Sequence, residues 1–176
     1  MQNPAYATTN VATRPRPDAT PRAAHNALAS ILTPADIVLD LDVATKKRAF
    51  DEIARFVSTR HALLAEDVRA SLVEREKIGS TALGHGIAIP HARVPGLSQP
   101  VAAFVRLKIS VPFDAPDGKP VSDMLVLLVP EDATDAHLQL LAEVAEMFCD
   151  RPFRERLRAC GHATEVHAVL TRSQQR

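Results

Sequence analysis

The sequence predicts an α/β domain: a central mixed β-sheet flanked by α-helices. Three observations predict it. Two apolar runs of strand length, Val101–Ile109 and Met124–Val129, each lie close to turn residues. Two stretches, Thr45–Thr59 and the segment from Thr134 to Phe148, repeat apolar residues at helical spacing. The two kinds of segment interleave along the chain, as a sheet covered by helices requires.

Residues 1–27 are rich in Pro, Ala, Thr and Asn, with Arg14, Arg16 and Arg22 scattered among them. They show little periodicity and read as a disordered tail, with a basic interaction arm as the alternative. The domain is expected over 28–173. Thr33 as N-cap with Pro34 at the first helical position opens a short turn. Val38, Leu39 and Leu41 suggest a brief strand. From Thr45 to Thr59, Ala49, Phe50, Ile53, Ala54 and Val57 fall on one helical face. A second helix is expected over Glu66–Glu76, its two leading acids suited to the positive helix end. Short strands follow at Thr81-Ala82 and Ile87-Ala88-Ile89.

Val101–Ile109 begins fully apolar and then alternates against Arg106 and Lys108, a strand whose first half is buried on both faces. Asp117-Gly118 is a turn. Met124–Val129, ended by Pro130, reads as a central strand. Thr134 then caps a helix that carries two apolar stripes, Leu138, Leu141, Ala145 and Phe148 beside Leu140, Val144 and Met147, and is expected to be well buried. Shorter helices over Pro152–Ala159 and Ala163–Leu170 close the domain.

Composition narrows the function. A chain of 176 residues suits one domain with a well-buried core. Its 21 basic and 21 acidic residues balance, so nothing electrostatic points to nucleic acid or an anionic membrane. The absence of Trp argues further against a base-stacking surface. No apolar run approaches the roughly 20 residues that span a bilayer, and the N-terminus has no signal-peptide core. Cys149 and Cys160 are expected as buried, reduced thiols on separate helices. The expected location is the cytoplasm.

The chemistry is concentrated in Gly84-His85-Gly86-Ile87-Ala88-Ile89-Pro90-His91-Ala92-Arg93. Proline has no N–H for the ladder, so a strand that meets Pro90 stops or becomes an edge. His91 is therefore expected just past a strand end, facing solvent or a cleft. Neutral imidazole, with an ordinary pKa of about 6.5, is a good nucleophile near neutral pH. It attacks phosphorus to give a labile phosphoramidate that can be passed on. The phosphoryl group in flight needs positioning and charge stabilisation. His137, in the first turn of a helix, suits an anion. Arg75 offers a planar fork. Ser80 and Thr81 offer hydroxyls, and the backbone from Gly84 through His85 to Gly86 offers N–H donors. Each also has a plainer explanation: His137 as an exposed first-turn residue, Arg75 as a solvated cation paired with Glu74 or Glu76.

The segments REKIGSTALGHGIAIPHAR and FDAPDGKPVSDMLVLLVPEDATDAHLQLLAEVAEMF resemble the enzyme IIA domains of the bacterial phosphotransferase system. The resemblance is to the fructose/mannitol class and, within it, the nitrogen-regulatory IIA branch, and it runs from Leu32 to Leu170. It implies the same α/β fold. It implies that His91 is the phosphorylated histidine, that His137 bonds the phosphoryl group, and that Arg75 is the arginine of the RE…GST segment. His85 falls where relatives carry Asn or His. It further implies a phosphoryl group derived from phosphoenolpyruvate through an HPr-type phosphocarrier, with no other cofactor. Regulatory targets in that branch include potassium transport components and sensor kinases. The chain has no room for IIB and IIC parts, which favours signalling over sugar uptake.

Two alternatives stand beside it. One is a sugar-specific IIA passing phosphate to separate IIB and IIC chains. The other is a metal-dependent hydrolase using His85, His91 and His137, against which stands the lack of any HExxH or CxxC spacing. His25, His61, His162 and His167 have no comparable context.

Overall fold

Leu125 and Leu127 face one layer of helices and Met124, Val126 and Leu128 face another, which places their strand at the centre of a three-layer sandwich. The computed structural model describes residues 23–132 and 135–172, with side chains from 27 onward except those of 133–136. The expected tail up to residue 22 and the expected cap Thr134 lie outside them.

In chain order the elements are α1 Ala23–Ile31, a 3-10 turn Pro34–Asp36, β1 Ile37–Leu41, α2 Lys46–His61, α3 Ala65–Ile78, β2 Ala82–Gly84, β3 Ile87–Ala88, β4 His91–Arg93, β5 Val101–Val111, β6 Val121–Val129, α4 Asp135–Cys149, α5 Arg151–Ala159 and α6 Ala163–Thr171. The sheet runs β1-β5-β6-β3-β2, with β4 also paired to β6. The β5–β6 and β2–β3 pairs are antiparallel; β1–β5, β3–β6 and β4–β6 are parallel. The sheet is therefore mixed, as expected.

The uninterrupted apolar runs follow from this sandwich. Ala103 and Val105 of β5 pack with Phe50, Ile53, Val57, Val68 and Leu72 of α2 and α3. Ala102 and Phe104 pack on the other face with Leu28, Phe148, Phe153, Leu157 and Leu170. Period-2 alternation sends successive side chains to opposite faces, and here both faces are covered. Burying a side chain of this size contributes about 1.5–3 kcal/mol.

Thr33 caps the first turn as expected: its N–H and hydroxyl both donate to Asp36 Oδ2, at 2.9 and 2.6 Å. Four expectations need correction. A helix, α1, begins at Ala23, inside the stretch assigned to the tail, and buries Leu28. Its apolar face is too short to show as a periodic run. The chain also resumes as a strand after Pro90. Ile87 lies opposite Asp123 and His91 opposite Leu127, so β3 and β4 keep one register along β6 across the break. Pro90 withholds an N–H, yet its carbonyl accepts from Leu127 N–H at 2.9 Å, which holds the break in line.

Helix α4 buries one stripe, Leu140, Val144 and Phe148, while Leu138 in its first turn is 63 % exposed. That turn projects past the sheet, over a cleft. Cys160 is buried but Cys149, at the end of α4, is exposed; both are free thiols.

Candidate functional site

The break between β3 and β4 sets His91 at the mouth of a cleft of about 760 Å³. Helix α3 runs beside β4 and brings Arg75, in its last turn, across from the imidazole. His137, from the first turn of α4, lines the same cleft, with Glu74, Lys77 and Arg93 around its polar side. The floor and far wall are apolar, from Val101, Leu127, Leu128, Leu140 and Leu141.

Both ring nitrogens of His91 have partners. Nδ1 lies 2.8 Å from the carbonyl oxygen of Ile89. A carbonyl only accepts, so Nδ1 carries the proton. Arg75 Nε–H donates to Nε2 at 3.0 Å, so Nε2 holds the lone pair. The hydrogen bonds thus select one neutral tautomer. Burial pushes the His91 pKa below its ordinary value, and the Arg75 charge adds to that; the Ile89 carbonyl and Glu76 oppose it. The net direction keeps the ring neutral near pH 7. A neutral ring with an unprotonated nitrogen turned to a guanidinium is a nucleophile with an anion-binding group at its side.

Arg75 is not the solvated cation of the plainer explanation. Glu74 pairs with Lys77 and Glu76 with Lys46. Besides His91, Arg75 binds the Gly79 carbonyl through Nη1 at 3.0 Å, closing the end of its own helix.

The structure therefore brings His91, Arg75 and His137 together and leaves four expected supports outside. The Ser80 hydroxyl donates to the Phe113 carbonyl at 2.6 Å. The Thr81 hydroxyl and N–H both donate to Glu76 Oε2, at 2.7 and 3.0 Å. His85 is exposed, its N–H held by Asp117 at 2.8 Å and its carbonyl by Arg158. The Gly86 carbonyl accepts from the N–H groups of Ser122 and Asp123. These groups stabilise the frame because the chain returns on itself at β2–β3 and needs partners there. Among the described residues, no three His, Cys, Asp or Glu side chains form a set that could hold a metal ion.

Sequence reasoning missed Glu76. Val68, Leu72 and Glu76 fall on one face of α3, four residues apart, and all three side chains are buried. A carboxylate continuing an apolar stripe is the signal that could have found it.

The sequence family described as "Phosphoenolpyruvate-dependent sugar phosphotransferase system, EIIA 2" matches residues 30–173. This chain belongs to that family. The EIIA 2 domain has a relative in Pseudomonas aeruginosa, a "Nitrogen regulatory protein" 41% identical over 144 residues, covering 81% of this chain and 94% of that one. A "PTS system fructose-specific EIIA component" of Haloferax volcanii is 33% identical over 148 residues, covering 80% and 93%. The crystal structure of nitrogen regulatory protein IIA-Ntr from Neisseria meningitidis superposes with a TM-score of 0.78 at 46% identity, over 82% of this chain and 99% of that one. The EIIA 2 fold expected from the sequence, and its kinship with nitrogen-regulatory IIA proteins, are thereby established. Among the described residues of this EIIA 2 domain, no helix is long and apolar enough to cross a membrane.

Proposed function

We propose that this EIIA 2 domain is a regulatory phosphocarrier that takes a phosphoryl group onto Nε2 of His91 and signals through phosphorylation-dependent protein binding. The observation that carries the reading is the fixed tautomer: Nδ1–H on the Ile89 carbonyl, with the Nε2 lone pair facing Arg75 in the cleft.

The donor is an HPr-type phosphocarrier bearing phosphohistidine. Nε2 attacks phosphorus as the donor's P–N bond breaks, and the donor imidazole leaves with that bond's electron pair. Nδ1–H of His91 stays on Ile89 throughout. Arg75 gives up its bond to Nε2 and turns its fork to the phosphoryl oxygens, where charge collects. His137 presents its ring from the first turn of α4, an end of the helix that favours anions. With Nδ1–H retained, the product bears roughly two negative charges on the phosphoryl oxygens and one positive charge on the ring, a net gain of about one negative charge that can recruit or repel a partner at this surface. Such partners belong to the classes that the resemblance implies, potassium transport components and sensor kinases, in the cytoplasm.

The fructose-specific relative favours a second reading, a sugar IIA that hands the group to separate IIB and IIC chains. One experiment tests both. Radiolabelled phosphoenolpyruvate, enzyme I and the HPr-type carrier are incubated with wild type and His91→Ala. Acid-labile, alkali-stable label on wild type alone is expected. An unlabelled wild type beside active carriers overturns the proposal. Passage of the label onward to a IIB chain favours the sugar reading.

A further inference from the structure

We propose that Glu76 is a positioning residue that locks both nitrogens of His91 into their tautomer, by closing a ring of hydrogen bonds that begins and ends at the imidazole. This rests on the phosphocarrier reading for its effect on transfer, and on geometry alone for the lock.

The ring can be followed bond by bond. Nδ1–H of His91 donates to the Ile89 carbonyl at 2.8 Å. Ile89 N–H donates to the Thr81 carbonyl at 2.9 Å. Thr81 N–H and hydroxyl donate to Glu76 Oε2 at 3.0 and 2.7 Å. Glu76 is joined through one peptide bond to Arg75, whose Nε–H returns to His91 Nε2 at 3.0 Å. One carboxylate therefore fixes the distance between the group that holds Nδ1 and the group that faces Nε2. Without it, the loop Gly79-Ser80 is the covalent link between the two halves.

Glu76 is itself firmly held. Its side chain is 8 % exposed, and Oε1 receives Lys46 Nζ at 3.0 Å. Lys46 also reaches Asp114 at 2.8 Å and lies 4.5 Å from the Phe113 ring centroid. Helix α2 thus braces α3 from the side away from the cleft. A buried carboxylate with three donors, one of them a lysine, is a rigid anchor. Its neighbours in sequence, Glu74 and Lys77, line the cleft with Arg93 and His137.

The test uses the full chain in two readouts. The 15N shifts of the histidine rings report the tautomer and titration of His91. Phosphoryl transfer from the charged HPr-type carrier reports rate. In Glu76→Gln, the His91 shifts are expected to move toward averaged tautomers, and the titration midpoint to fall further as the opposing negative charge is lost. The transfer kcat drops about tenfold to a hundredfold, the scale of an ångström-sized misplacement, while the KM for the carrier holds. Thr81→Val, which removes only the hydroxyl bond, shifts the tautomer in the same direction by less.

Unchanged His91 shifts and an unchanged rate in folded Glu76→Gln overturn the proposal. Should Glu76→Gln fail to fold, Thr81→Val and Lys46→Met decide it by the same readouts. A wild type that takes no label, yet shows the Glu76-dependent tautomer, overturns the carrier reading and supports the lock.

Discussion

Arg106 and Arg75 each place a guanidinium at the border of the core, and they are held in opposite ways. Arg106 donates to buried Asp123 at 2.6 Å and to the carbonyls of Cys160 and Leu157 at 2.7 and 2.8 Å. Its charge is matched and its fork is full, so it ties β5 and β6 to the end of α5. Arg75 has a neutral imidazole and one carbonyl instead. The two acids beside it in sequence are paired elsewhere. A guanidinium facing a neutral base keeps its attraction for an anion; one facing a buried carboxylate does not. The same residue type is a tie in one place and a receptor in the other, and the partner decides which.

Four experiments break or sharpen that contrast. The largest effect is expected from His91→Ala, which removes the acceptor: labelling falls to background while circular dichroism and Tm stay near wild type, since His91 is only half buried. Arg75→Ala comes next. Transfer slows about a hundredfold or more, the usual loss for one donor to developing charge, with little change in Tm. Arg75→Lys recovers part of that, because charge survives and the fork does not.

Arg106→Met gives the converse. It leaves Asp123 buried and unpaired, and denaturant unfolding is expected to show a loss of about 3 kcal/mol. The transfer rate per folded molecule stays near wild type. If Arg75→Ala destabilised as much as Arg106→Met, the contrast would collapse.

The smallest effect is in pH. Because the folded His91 pKa lies below its ordinary value of about 6.5, the unfolded chain binds more protons at this site between the two values. Stability from His91 is present above about pH 6.5 and is lost as pH falls through the folded pKa. Transfer should hold down through pH 6.5 and weaken only below it. Comparing Tm and rate against pH in wild type, with Tm in His91→Gln as the reference, separates the His91 contribution from that of the other histidines.

Much of this was legible in the chain. Val101–Ile109 and Met124–Val129 announced strands covered on both faces, because period-2 alternation with no polar face leaves no other place for them. The helices at 45–59 and 66–76 differed from those observed only at their ends. What stayed hidden had weak local signal. Strand β4 has three residues behind a proline, and only the register along β6 makes it a strand. Ser80 and Thr81 looked like phosphate donors by type, but their hydroxyls close onto Phe113 and Glu76. Leu138 belonged to an apolar stripe by spacing, yet α4 begins beyond the sheet and leaves it exposed.

By itself the sequence determined the layered α/β class, the family, and His91, Arg75 and His137 as the residues to watch. Those are written in local pattern and in short motifs. Tertiary structure decided which nitrogen of His91 keeps its lone pair and which carboxylate near Arg75 is buried. The partner of Nε2 lies 16 residues away. Hydrogen bonds of that reach exist only once α3 is laid against β4, and burial, which sets the charge of the ring, exists only in the packed molecule.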